Sequence, residues 1–211
     1  MRKLISDIAY DHILNKIFNG DFVQGEKIDE LALAEECGIS RTPIRQALKT
    51  LEIDGLVISG KNQAMEFIEL NDDWLKCLGE SRIAMETIMG RIVTYNISNA
   101  DIKKLSDIAN ECSISFKKKK FNEAITLDIE FRLAMAELSK NEILIELNNR
   151  QLKNIKLLKM IINTNELLEK SIQFQFDIIA ALDKRDMDLN SKITLNYLVD
   201  IHKLDQAVLV F

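Results

Sequence analysis

Proline occurs once in these 211 residues, at Pro43, and glycine seven times, never beyond Gly90. Beyond that point the chain reads as Leu, Ile, Lys, Glu, Asn and Ala, residues that sustain helices. This change of character divides the sequence into two expected domains, residues 1–69 and 70–211. Cysteine is sparse as well. Cys37, Cys77 and Cys112 are odd in number, widely spaced and without a CxxC pair, which excludes a disulfide framework and a cysteine zinc site. They read as small buried hydrophobes. Histidine appears only at His12 and His202, so histidine-built metal or acid–base chemistry has little to work with. A lone histidine such as His202, beside Lys203 in a late helix, reads as a surface or interface residue.

No apolar run reaches the 18 to 20 or so residues that cross a bilayer, and the first residues carry Arg2, Lys3, Asp7 and Asp11 rather than a signal-peptide pattern. A cytoplasmic protein without a membrane partner is expected. The formal net charge of −5 excludes indiscriminate coating of nucleic acid, which runs on a general excess of Lys and Arg, though not a local basic face. There is no P-loop, GxGxxG, HExxH, Glu-x-x-His pair or nucleophile elbow, so no enzyme and no cofactor is expected.

What is present is helical periodicity with clear punctuation. Ile5, Ile8, Ala9, Ile13, Ile17 and Phe18 recur at steps of three and four up to Gly20. After a loop over residues 19–26, Asp29 can cap a short helix carrying Leu31, Leu33, Ala34 and Cys37, which Gly38 ends. Ser40 is placed to cap the next helix, with Pro43 in its first turn, running from Arg41 to about Asp54, where Gly55 closes it. Two helices joined by Gly38-Ile39-Ser40 make a helix-turn-helix. The short β-prone runs 56–59 and 64–68 flank the polar turn Gly60-Lys61-Asn62-Gln63, predicting a β-hairpin where a wing would lie. From Asn71 or Asp72 onward, about six helices are predicted, near 72–97, 100–118, 121–139, 141–162, 165–184 and 186–209, forming an antiparallel bundle. The lysines 117–120 read as a solvated helix end.

The helix after Ser40 carries the chemistry. Arg41, Arg45 and Lys49 stand four apart and stack on one face, while Ile44, Ala47, Leu48 and Leu51 form the other. No acid interrupts residues 38–49, so the positive charge is local. Arginine can fork onto guanine in the major groove, and Ser40 and Thr42 at the helix start can bond phosphates. Lys61, Asn62 and Gln63 at the hairpin tip are candidates for a neighbouring groove or the backbone.

The segment from Ile17-Phe18-Asn19-Gly20 through Leu33-Ala34-Glu35-Glu36-Cys37-Gly38-Ile39-Ser40-Arg41-Thr42-Pro43-Ile44-Arg45-Gln46-Ala47-Leu48 to Gly55-Leu56-Val57 closely resembles the winged-helix domain of the GntR family of bacterial regulators. The resemblance implies base contacts by Arg41 and Arg45. The family usually places a glycine near Gln63 or Ala64, which this chain lacks.

The second domain resembles the FCD effector domain of the FadR branch of that family, through Arg82-Ile-Ala-Met-Glu86, Asp128-Ile-Glu-Phe-Arg132 with Ser139-Lys-Asn141, and the turn from Ala180 to Asp186. Six helices fit the VanR-like subgroup. Many such domains hold a divalent metal on one Asp and three His and capture a small carboxylate with it. Here the Asp matches Asp128, but Arg132, Gln175 and Tyr197 fall where histidines would be; a shift of one would give Phe174 or Asn196. Asp128 and Arg132 are an (i, i+4) pair on one helix face, as are Arg82 and Glu86. Arg132 is open to a structural ion pair with Asp128 or to a fixed cation that binds an anionic effector in place of a metal, an oxygen-ligated metal being the third alternative.

The resulting expectation is a homodimeric transcription regulator that reads a pseudo-palindromic double-stranded DNA operator. It would act as a repressor whose operator affinity a small-molecule effector, anionic on the family's pattern, controls through Arg82, Asp128, Arg132, Gln175 and Tyr197. The alternative is a dimeric DNA-binding regulator whose second domain has lost sensing and serves dimerisation or protein contact.

Overall fold

A computed structural model describes residues 4–60, 64–161 and 164–205. By its contacts the chain forms two units. One holds the residues up to Leu70 together with Lys153–Ile161; the other holds Asn71–Leu152 and the chain beyond Ile161.

In the first unit α1 (Ile5–Asn19), α2 (Glu30–Cys37) and α3 (Arg41–Ile53) precede a hairpin of β1 (Val57–Ser59) and β2 (Met65–Phe67). The α2–α3 turn needs a left-handed residue. Gly38 supplies it at φ 63°, and its N–H closes on the last carbonyls of α2. Asp29 caps α2 as expected, accepting from the N–H groups of Leu31 and Ala32. Ser40 stands at the N-cap of α3, but its hydroxyl makes no capping bond. Ala9, Ile13 and Ile17 of α1 and Ile44, Leu48 and Leu51 of α3 are buried and supply the core of the unit. Leu31 of α2 is exposed.

The hairpin pairs Val57 with Phe67 and Ser59 with Met65. Part of the stretch read as loop is ordered against it: the N–H groups of Gly25 and Ile28 donate to the Phe67 and Met65 carbonyls at 2.9 and 2.8 Å, and Phe67 N–H returns a bond to Glu26. This third edge escaped the sequence because residues 25–28 show no period-two alternation. Lys61, Asn62 and Gln63 lie outside the described residues. Also in this unit, Asp54 accepts from the Tyr10 hydroxyl and from Lys153 Nζ, both at 2.6 Å, while its carbonyl takes Asn154 Nδ2 at 2.8 Å.

The second unit is helical throughout its described part: α4 (Asp72–Asn96), α5 (Asn99–Lys117), α6 (Phe121–Leu138), the first half of α7 (Glu142–Ile161), α8 (Thr164–Asp183) and α9 (Met187–His202). Side-chain caps set the starts, Asn71 on Trp74 N–H, Ser98 on Asp101 and Asp186 on Leu189 N–H. The core is continuous, with Val93, Leu105, Phe131, Ile178, Leu182 and Leu198 among its buried members. The last helix stops at His202, earlier than its expected end near 209, because Lys203 turns left-handed at φ 51° and directs its N–H back to the final turn. The cysteines split: Cys112 is buried, Cys37 half-buried, and Cys77 exposed, contrary to its reading as a buried residue.

Candidate functional site

Two clusters collect the residues singled out by sequence, one in each unit. On α3, Ile44, Ala47, Leu48 and Leu51 face inward while Arg41, Thr42, Arg45 and Lys49 are exposed, with Ser40 exposed at the helix start. The cationic face is bonded within the protein. Glu30, the first residue of α2, accepts from Arg41 Nη2 at 3.1 Å and from Arg45 Nε at 2.7 Å through the same Oε2. Burial raises the Glu30 carboxyl's proton affinity, but the two arginine bonds outweigh it and hold the group below the usual carboxylate range. Lys49 is bonded to Glu52 at 2.8 Å, and Glu52 also accepts from the Ser59 hydroxyl. Glu30 escaped sequence reading because eleven and fifteen residues separate it from its partners, and only the α2–α3 turn brings them together. The arrangement presents three cations on a rigidly packed helix, the geometry that phosphate and base edges require.

In the second unit Arg82, Asp128, Arg132, Gln175 and Tyr197 converge in one buried polar network. Arg132, 4% exposed on α6, donates Nε to Asp128 at 3.2 Å, Nη1 to Glu86 at 3.2 Å, and Nη2 to Ser171 and Tyr197 at 3.1 and 2.9 Å. The Tyr197 hydroxyl donates to Ser171 Oγ, and Ser171 donates to Asp128. Gln175 Nε2 donates to Asp128 Oδ1 at 2.9 Å. Phe174 and Tyr197 stack with centroids 4.2 Å apart, and the Arg132 guanidinium lies 5.4 and 5.5 Å from the two ring centroids.

The network continues through Glu86, which pairs with Arg82 Nε at 2.7 Å. Arg82 Nη1 meets His202 Nε2 at 3.0 Å, and His202 Nδ1 meets the Leu75 carbonyl at 2.8 Å. His202 is therefore buried, correcting its reading as a surface or interface residue. Its geometry selects the neutral tautomer protonated at Nδ1, with Nε2 accepting from arginine. Burial, reinforced by the Arg82 charge, pushes its pKa down to about 3. For Glu86 burial acts to raise the pKa, but Arg82 and Arg132 outweigh it and the carboxyl sits below its usual value. Burial likewise works against the Arg132 charge, and Asp128 first, then Tyr197 and Glu86, overcome it.

This donor set does not fit a divalent cation. Arg132 puts a guanidinium where a ligand would stand, Asp128 is engaged by Arg132, Ser171 and Gln175, and no cluster of three His, Cys, Asp or Glu side chains forms among the described residues. Beside the network a small cavity of about 20 Å³ lies between α4, α6, α7, α8 and α9, with Arg132, Glu86, Asn148, Asn190 and Thr194 as its polar lining. Sequence reasoning did not select Asn148 or Asn190, whose positions carry no motif.

Residues 5–66 match the pattern of the gntR family of bacterial regulatory proteins, and residues 77–200 that of the FCD domain. The HTH-type transcriptional regulator YdhC of Bacillus subtilis is 30% identical over 150 residues, covering 69% of this chain and 62% of that protein. The Nta operon transcriptional regulator of Aminobacter aminovorans is 31% identical over 125 residues, 59% of each. The matched stretch thus spans about three fifths of the length of these relatives. Among solved structures, E. coli McbR/YncC superposes with a TM-score of 0.73 at 22% identity, over 99% of this chain and 98% of that one. A GntR regulator from Rhodococcus sp. RHA1 does so at 0.77 and 17%, over 98% of each. These structures share the fold. With winged helix and helical domain both matched, the chain belongs to the gntR family of bacterial regulatory proteins, in the part of it that carries an FCD domain.

Proposed function

We propose that the protein is a sequence-specific DNA-binding transcriptional regulator. It acts in the cytoplasm as a homodimer on a pseudo-palindromic operator, as a repressor whose grip is adjusted by a small molecule held in the helical domain. The observation that carries the reading is the exposed row of Arg41, Arg45 and Lys49 on a helix whose opposite face is fully buried. Family membership supports it. Such a helix reads bases from the major groove, with the Ser40 and Thr42 end against phosphate, and two copies related by a dyad read two half-sites.

Selection of binding sequences from a random duplex library by the full chain at moderate salt tests this. Enrichment of an inverted repeat is expected, and Arg45→Ala is expected to weaken the selected site about 10- to 100-fold, the value of one good bidentate base contact. No sequence preference, or unchanged affinity in the variant, would overturn the reading. The size of the cavity favours a second reading of the helical domain: at about 20 Å³ it holds little more than a water molecule unless its wall moves, as expected if that domain serves dimerisation or protein contact alone.

A further inference from the structure

The polar lining of this cavity is unequally served. Arg132 spends its donors on Asp128, Glu86, Ser171 and Tyr197. Asn190, on α9 and 0% exposed, has neither Oδ1 nor Nδ2 in a hydrogen bond among the described residues, and Asn148, on α7 and 1% exposed, has its Nδ2 in the same condition. Buried amides without partners are costly and uncommon, and a group bound beside them that supplies the missing bonds would account for them. Both asparagines line the cavity, and so does Gly90 of α4, where a Cβ would stand 2.3 Å from Asn190 Oδ1. Only glycine at 90 leaves the Asn190 amide its place.

We infer that this cavity is a binding site for an uncharged carboxamide or ureido group, recognised by Asn190 and Asn148 rather than by Arg132. The inference rests on the effector-controlled reading above and departs from an anionic ligand. The charges decide the class. Two carboxylates, Asp128 and Glu86, face two guanidiniums, Arg132 and Arg82, and His202 is neutral, so the network is already balanced. A carboxylate would bring an uncompensated charge into this interior, whereas a carboxamide brings none. Its NH₂ donates to Asn190 Oδ1 while its carbonyl accepts from the Nδ2 groups of Asn190 and Asn148, a match of donors to acceptors that a carboxylate, which only accepts, cannot make. The flexible side chains of Met89 and Met135 in the wall provide room by changing rotamer.

The test is thermal unfolding of the full-length protein titrated with acetamide and, in parallel, with acetate at matched concentration, pH and ionic strength. Acetamide is expected to raise the midpoint saturably and acetate to leave it in place. Asn190→Leu, close in shape but apolar, is expected to raise the ligand-free midpoint and to abolish the acetamide shift; Asn148→Leu should weaken that shift and reports on the same site if the first variant does not fold. An acetate shift equal to or above that of acetamide, no shift with acetamide, or a shift that survives both substitutions would overturn the inference. Binding of the unaltered, ligand-free protein to its selected duplex is read separately, so failure of the DNA-binding reading is distinct from failure of this one.

Discussion

Arg45, on the exposed face of α3, is held by Glu30, whose Oε2 lies 2.7 Å from the guanidinium Nε while also taking Arg41. Two cations share one carboxylate on the surface that would meet DNA. Each arginine gives Glu30 a single donor and keeps others for phosphate or base, but the carboxylate's negative charge stands beside both, so Glu30 is expected to oppose binding to every duplex. Binding to a random duplex rests almost entirely on charge, whereas operator binding also draws on base-edge forks, so Glu30 weighs relatively more on the former.

Glu30→Gln is therefore expected to strengthen binding to random-sequence DNA by several-fold and to strengthen operator binding less, lowering the specificity ratio. Parallel titrations of a selected and a scrambled duplex at one salt concentration measure this. An unchanged ratio would show that Glu30 does no more than solvate the helix end.

A second prediction concerns Gly79 of α4, which packs against α9. A Cβ at this position would lie 2.5 Å from His202 Cβ and 2.6 Å from its Cγ. Gly→Ala within a helix ordinarily stabilises by about 1 kcal/mol. Here the obstructing atom is fixed to the α9 backbone, so overpacking prevails and Gly79→Ala is expected to destabilise by roughly 1–3 kcal/mol. A urea titration checks the sign, and a stabilised variant would mean that the two helices part without cost.

The helix-turn-helix was legible because its signals are local: Asp29 at a cap, Gly38 in the turn, Pro43 in a first turn and an apolar face at helical spacing on α3. The bundle helices were legible for the same reason, as were the (i, i+4) pairs Arg82–Glu86 and Asp128–Arg132. What joins those pairs was not. The Arg132–Glu86 bridge spans 46 positions, Arg82–His202 spans 120, and the Gly90–Asn190 approach depends on how closely α4 meets α9. None of these leaves a periodic trace. Arg132 standing where a histidine would be invited a single replaced charge, but the structure holds a balanced set of four charges whose members come from α4 and α6.

The third prediction follows from His202. The side chain is 2% exposed, donates Nδ1–H to the Leu75 carbonyl, accepts from Arg82, and has a pKa pushed from 6.5 down to about 3. Below pH 6.5 the unfolded chain takes up a proton at this position that the folded chain refuses. The unfolded state then binds more protons, and stability falls as the pH falls. The loss begins near 6.5 and continues toward 3, at a limiting slope of about 1.4 kcal/mol per pH unit. Glu86 and the carboxylates Glu30, Glu36, Glu52 and Glu123, all held below their ordinary 4.5, add losses of the same sign as the pH nears that value, so the histidine dominates between about 6 and 5. Unfolding free energies from urea titrations across that interval are expected to fall at close to this slope. His202→Asn retains a donor for Leu75 and an acceptor for Arg82 but does not titrate, and it is expected to flatten the slope while lowering stability at neutral pH only modestly. A slope that persists in the variant would place the proton uptake on another group.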